Sequence, residues 1–344
     1  TFLSNMVDWN PAEMIGDKPK NLAISLYSKL ITDNVWSIQR KNYGYKDVSP
    51  NILMYNLAGS PYIDLRTDLN SFLPSNLSPK LSEKIINLLI QQFARQPYLH
   101  DKIEFVLIPT CYDFDIKKFK VFKRLNKKER NEYIIQLKEL TNNILYKKNF
   151  LNLEIEKIEI LDKKLNYFKK NNLHPIQKIF FLVHDCQKYG TIPFAGIARI
   201  SFICTKILNS LENIGLLNKS LVEKFYQNIN TIVKQINIDF NKIFNLKKKK
   251  EFINKYGHLR PNTYSIEAKN YKESFVDYYL KSKKIIRKKP ETKFLLSKKL
   301  LKKVNVLFKK HNMKLNGSNF FDLSRKAIEQ REYSKFVFTK YINE

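Results

Sequence analysis

The stretch Ile52-Leu53-Met54-Tyr55-Asn56-Leu57-Ala58-Gly59-Ser60-Pro61-Tyr62-Ile63-Asp64-Leu65-Arg66 decides the fold class. Two short apolar runs flank a Gly-Pro break, the pattern of two strands that turn back on one another. Upstream, Asn10-Pro11-Ala12-Glu13 reads as a helix N-cap, a proline at the first helical position and a capping-box Glu. A second helix is expected over about 22–36. Downstream, Ser78-Pro79 starts a helix whose Leu81, Ile85, Leu88, Leu89 and Phe93 share one stripe. After Pro97, residues 102–108 alternate in character and predict a third strand. A small antiparallel sheet carrying helices is therefore expected to close near Asp115.

Beyond that point the pattern is helical. Leu151, Ile155, Ile158, Leu161, Leu165 and Phe168 repeat at helical spacing. Ser220 with Glu223 reads as a capping box ahead of Phe225, Ile229, Ile232, Val233 and Ile236, and Gly215 as the stop of the preceding helix. The segment 116–172 is the most charged, and its first part is expected as a flexible hairpin. With 8 Gly and 12 Pro in 344 residues, a β-architecture built on many tight turns is excluded. The fold class read from the sequence is α+β, predominantly α-helical, with a small antiparallel sheet in the N-terminal third. Residues 1–115 are expected as a mixed α/β lobe and residues 116–344 as a helical lobe.

The net charge of +30 would ordinarily point to nucleic acid. Here the excess is Lys travelling with abundant Asn and Ile, as codon bias in an AT-rich genome would produce. It also falls on presumed solvent faces, so nucleic acid is disfavoured as a partner. Lys247 to Lys250 reads as the last turn of a helix, where cations are favoured. Cys111, Cys186 and Cys204 are far apart and lack CxxC spacing, and no metal site is expected. No apolar run is expected to reach membrane-spanning length; the best, near 192–207, is interrupted by Pro193, Arg199 and Lys206. A cytoplasmic location is expected, without a membrane. The chain opens on Thr1 rather than Met and is expected to be a piece of a longer protein.

The chemistry concentrates in Phe252-Ile253-Asn254-Lys255-Tyr256-Gly257-His258-Leu259-Arg260-Pro261-Asn262-Thr263-Tyr264-Ser265-Ile266. A Gly that frees the backbone and a Pro that fixes it bracket an imidazole able to exchange protons and a guanidinium suited to phosphate or carboxylate. This segment resembles the Tyr-Gly-His-(Leu/Arg)-(Arg/Gly)-Pro-Gly-(Thr/Glu)-Tyr-Asp-Ile signature of phosphoenolpyruvate-synthase-like phosphotransferases, the group that includes rifampin phosphotransferases and glutamine kinases. Asn262 and Ser265 depart from the signature's Gly and Asp. Further blocks are similar to members of the same group: Asp8-Trp9-Asn10-Pro11-Ala12-Glu13-Met14-Ile15-Gly16, Tyr62-Ile63-Asp64-Leu65-Arg66 with Asn70-Ser71-Phe72-Leu73-Pro74, Gly190-Thr191-Ile192-Pro193-Phe194-Ala195-Gly196-Ile197-Ala198-Arg199, and Arg331-Glu332-Tyr333-Ser334-Lys335-Phe336.

That resemblance implies a relay in which ATP phosphorylates a mobile His that then passes a phosphoryl group to an acceptor. No Gly-rich phosphate cradle and no swivelling phosphohistidine domain are found in this sequence. The resemblance therefore implies the central, acceptor-binding domain of a three-part enzyme. ATP and Mg would be held by an ATP-grasp domain outside the chain, and the chain alone would be inactive. Capsule-associated members bear the nearest likeness, which makes L-glutamine the favoured acceptor, with AMP and phosphate as co-products. His258 is the candidate general base. Arg66, Arg199 and Arg260 are candidate binders of phosphoryl or carboxylate groups, with Arg199 and Arg260 expected at one shared cavity. Thr263, Tyr264, Asn10 and Glu13 are candidate acceptor ligands. His174 and His311 are expected at the surface. The alternatives are a phosphoenolpyruvate-forming or other small-molecule kinase of the same group, and a basic helical protein that binds nucleic acid or another anionic surface.

Overall fold

A computed structural model describes residues 2–5, 7, 9–147, 149–171, 173–243, 245–260, 269–275 and 294–344. The class is α+β and mostly helical, with a three-stranded antiparallel sheet near the N-terminus. β1 (Leu3–Ser4) and β2 (Met54–Leu57) flank the central β3 (Ser60–Asp64). Leu57 pairs with Ser60, so Ala58 and Gly59 form a two-residue turn, and both have positive φ as such a hairpin requires. The third strand is β1, paired through Leu3–Asp64 and Ser4–Ile63. Two residues are too few to leave an alternating pattern in the sequence.

The expected strand at 102–108 is instead a π-helical turn, Ile103–Leu107. Its geometry follows from what claims Glu104: the backbone carbonyl accepts from Lys206 Nζ at 2.7 Å, and the carboxylate pairs with Arg199. The strand read at 62–66 ends at Asp64. Its Oδ1 accepts from the backbone N–H of Thr67 at 2.7 Å and starts a helix at Leu65.

In chain order the helices begin with α1 (Pro11–Ile15), α2 (Asn21–Tyr27), α3 (Val35–Asn42), α4 (Leu65–Asn70) and α5 (Pro79–Arg95). The helix expected over 22–36 is thus broken, with a π-helical turn at Ser28–Thr32 between α2 and α3. Next come α6 (Lys127–Asn142), α7 (Phe150–Lys170), α8 (Pro175–Asp185) and α9 (Ile192–Asn213). The segment before α6 is not a hairpin. Short 3₁₀ turns there bury Ile116, Phe119, Val121, Phe122 and Leu125 in the main core. α10 (Lys219–Gln227) is capped by the Asn218 side chain rather than by Ser220, and α11 (Ile232–Asn241) restarts at Thr231. α12 (Leu246–Tyr256), α13 (Lys298–Lys310) and α14 (Gly317–Asn343) complete the described helices.

α9 is the centre of the packing, touching α14, α7, α3 and α10. Gly196 lets it approach α3: a Cβ there would sit 2.8 Å from Tyr43 Cζ. Gly215, at φ +75°, ends the run after α9, as the sequence indicated. Contrary to the sequence reading, Pro175–Asn213 is helical throughout and long and apolar enough to cross a membrane by length and composition. A π-helical turn at Cys186–Thr191 carries α8 into α9 just before Pro193, so the chain stays helical past it, and 78% of the most apolar window is buried within the protein itself. The buried apolar residues, from Val7 to Tyr341, form one continuous cluster.

Candidate functional site

The Tyr-Gly-His stretch ends α12. Tyr256 is buried, and its hydroxyl donates to Asp239 Oδ2 at 2.7 Å, while Lys255 Nζ sits 2.9 Å from the same oxygen. Burial pushes the Asp239 carboxyl up, but the hydrogen bonds from Lys255, Tyr256 and Gln235 outweigh it and hold the group below its ordinary value. Gly257 has an ordinary helical φ of −62°, so the backbone freedom expected of it is not used. The position needs Gly for space, because a Cβ would meet Lys272 Cβ at 3.1 Å and the Ile253 carbonyl. The returning segment locks on here, with Lys272 N–H donating to Gly257 O at 3.0 Å and Tyr271 N–H to Leu259 O at 2.9 Å.

This clamp delivers His258 and Arg260 to the wall of a cavity of about 330 Å³. Two acids, Glu13 and Glu332, and two cations, Arg260 and Lys335, line it with His258 and Thr339. Ile232, Val233, Ile236, Leu259, Phe336 and Ile342 form the apolar remainder. The His258 ring meets Phe336 edge-on at a centroid distance of 4.8 Å. Arg260 Nη1 donates to Asn343 Oδ1 at 2.7 Å, fixing the guanidinium at the cavity edge. Glu13 is held by Asn10, whose Nδ2 donates to Glu13 Oε2 at 2.9 Å and whose Oδ1 accepts the Glu13 N–H at 3.0 Å. Asn10 is thus the cap and support of α1, and Glu13 is the cavity residue.

The mixed charge has a chemical consequence. The Glu13 carboxylate suits an ammonium, with Glu332 beside it already paired to Arg331 Nη2 at 2.8 Å, and Arg260 and Lys335 suit a carboxylate or phosphoryl group. A zwitterion of amino-acid size matches both sets, and His258 on the same cavity wall supplies an imidazole for proton transfer. A second cavity, of about 350 Å³, adjoins through Arg260 and Ile342 and is walled mainly by apolar residues of α1, α2, α8 and α14. Among the described residues, no group of three or more His, Cys, Asp or Glu could hold a metal ion.

Arg199 is not at this cavity. It is buried, ion-paired with Glu104, with its guanidinium 5.0 Å from the Phe72 ring centre and 5.7 Å from that of Tyr45. Arg40 stacks on the same Phe72 ring at 4.1 Å, and Lys206 Nζ donates to Thr110 Oγ1 at 2.7 Å. These side chains make an internal charge network that ties α3 and α9 to the turn at 103–107. The expectation that Arg199 and Arg260 share one cavity therefore fails: Arg199 lines neither of the cavities that Arg260 lines. Arg66 is exposed on α4 and donates to Asn87 Oδ1 at 3.1 Å, also away from both cavities. Thr263 and Tyr264 lie outside the described residues. His311, expected at the surface, packs against Phe114 and Tyr112.

Glu332, Lys335 and Thr339 were missed as site residues. Their spacing, with Phe336 between, repeats at one face of α14. That periodic mix of charge and aromatic was the available signal. No family model, no curated protein and no solved structure matches this chain.

Proposed function

We propose that this chain is the acceptor-binding part of an ATP-dependent phosphotransferase working through a phosphohistidine relay, with the amide nitrogen of L-glutamine as acceptor. The observation that carries the proposal is the cavity where His258 and Arg260 meet Glu13. These residues come from two stretches, far apart in the sequence, that separately resemble the same phosphotransferase group. The cavity's two acids and two cations fit the ammonium and carboxylate of an amino acid, which favours glutamine over an acceptor without charge.

In the proposed reaction the bond from phosphorus to the donor histidine breaks as the bond to the glutamine amide nitrogen forms. His258 accepts the amide proton. Arg260 holds the acceptor's carboxylate and Lys335 offsets charge on the phosphoryl oxygens, the main requirement of a loose phosphoryl transition state. ATP and Mg enter only at the ATP-grasp domain, and the swivelling domain carries the phosphohistidine. Titration calorimetry with L-glutamine tests the assignment. Saturable binding that Arg260→Ala abolishes, with no ATP consumption by the chain alone, is expected. Steady ATP turnover by this chain, or glutamine binding indifferent to Arg260→Ala, would overturn it.

A further inference from the structure

α13 turns Val304 and Phe308 into the core. At 3.6 residues per turn, its Lys298, Lys299, Lys302, Lys303, Lys309 and Lys310 fall on an opposite arc of about 140°, with Val306 near the middle. All six lysines are exposed and, among the described residues, none of them makes an ion pair. Many lysines elsewhere do, as in Lys84–Glu129, Lys164–Asp185 and Lys255–Asp239. Among the described residues, α13 therefore holds positive charge that no carboxylate pairs with.

A groove of about 580 Å³ runs beside this face. Lys299, Lys302, Lys303 and Lys310 form its rim, and Ile214, Leu216, Val306 and Leu307 its floor. Gly215, at φ +75°, turns the chain back after α9 and so builds the far wall. Ile214 and Val306 remain 42% and 62% exposed, apolar surface kept in water beside concentrated charge.

The rim alone would suit any polyanion, and the floor discriminates. A nucleic-acid backbone gains little from four apolar side chains, and a bilayer surface does not enter a furrow between a helix and a turn. A polypeptide whose carboxylates flank apolar side chains satisfies both features at once. We propose that the α13 groove docks an acidic amphipathic segment of a partner protein, its apolar side chains on Ile214, Leu216, Val306 and Leu307 and its carboxylates against the lysine rim.

Fluorescence anisotropy tests this with a labelled helical peptide bearing glutamates along one face and leucines along the other. Saturable binding is expected, weakened about tenfold or more by Lys302→Glu with Lys303→Glu. Val306→Ser, which alters no charge at an exposed position, should weaken it severalfold, while Lys247→Glu with Lys250→Glu on α12 should not. Circular dichroism checks that each variant is folded. Absence of saturable binding, or equal affinity in Val306→Ser, would overturn the proposal. So would an oligonucleotide or a phosphatidylserine vesicle that binds more tightly and is lost with the same lysines.

Discussion

Glu104 shows what a single buried carboxylate does in this protein. Burial pushes its carboxyl up, but Arg199, Lys206 and Arg40 together outweigh that and hold it below the ordinary value. Removing the Glu104 charge would take from three buried cations the carboxylate they share, whereas removing Arg199 leaves Glu104 facing Lys206 and Arg40. Glu104→Gln should therefore destabilise by about 3–5 kcal/mol and Arg199→Met by less, as measured by denaturant unfolding. The pH dependence follows in sign. A depressed carboxyl contributes stability that is fully present above its unfolded pKa of about 4.3 and lost as pH falls through the lower folded value. Glu154 and Asp113, whose carboxyls burial pushes up, work the other way. The contribution of Glu104 is thus the difference between wild type and Glu104→Gln, and that difference should shrink in acid. His258 sits elsewhere: it is half-buried, against Phe336, at the wall of a cavity. In the complete enzyme His258→Asn should slow single-turnover transfer by roughly 10²–10⁴-fold while leaving the unfolding midpoint nearly unchanged. Loss of stability without loss of rate would make it a structural residue.

At the scale of elements, α12 carries a conflict that its sequence concealed. Lys247 to Lys250 reads as a closing turn, yet it is the first turn of the helix, capped by Asn245 whose Oδ1 accepts the Lys248 N–H at 2.9 Å. Cations there oppose the helix dipole. The exposed Lys247→Glu should accordingly raise stability by about 0.3–1 kcal/mol in thermal unfolding at low salt, a gain that added salt should erase. Helix existence was readable wherever an apolar stripe was long, as over 79–95 and 150–170. Breaks were not, because the caps at Asn218, Thr231 and Asn245 are Asn and Thr in a chain full of Asn. The strand read at 102–108 failed for another reason: its backbone is set by Lys206 and Arg199, about a hundred positions away. The site was half legible. His258 and Arg260 stood out as rare residue types in a compact motif and Glu13 through its capping box and the resemblance around it, whereas Arg199 looked equivalent and proved internal, since nothing local reveals that Glu104 will meet it.

For the whole molecule, the question is whether the mixed segment and the helical segment open together. Cys111 lies in the first, Cys186 and Cys204 in the second, and all three are buried. Burial pushes each thiol up, Cys111 and Cys204 to about 12, so the reactive thiolate is scarce at neutral pH on two counts, access and ionisation. The stretch around Cys111 is clamped to the helices beyond it. Tyr112 N–H donates to Thr141 Oγ1 at 2.8 Å, Phe114 N–H donates to Ser210 Oγ at 3.1 Å, and Thr110 Oγ1 accepts from Lys206. Two of those partners sit on α9, the helix that carries Cys204. Opening the first segment alone would break these bonds and expose the charge network of Glu104, Arg199 and Lys206, a cost that disfavours independent melting. A thiol-labelling pulse across a urea series should therefore find the native protein unreactive, and then all three cysteines modified with one common midpoint, resolved by peptide mass spectrometry. Labelling of Cys111 at distinctly lower urea than Cys204 would show that the N-terminal third unfolds on its own and that the continuous core does not act as one unit.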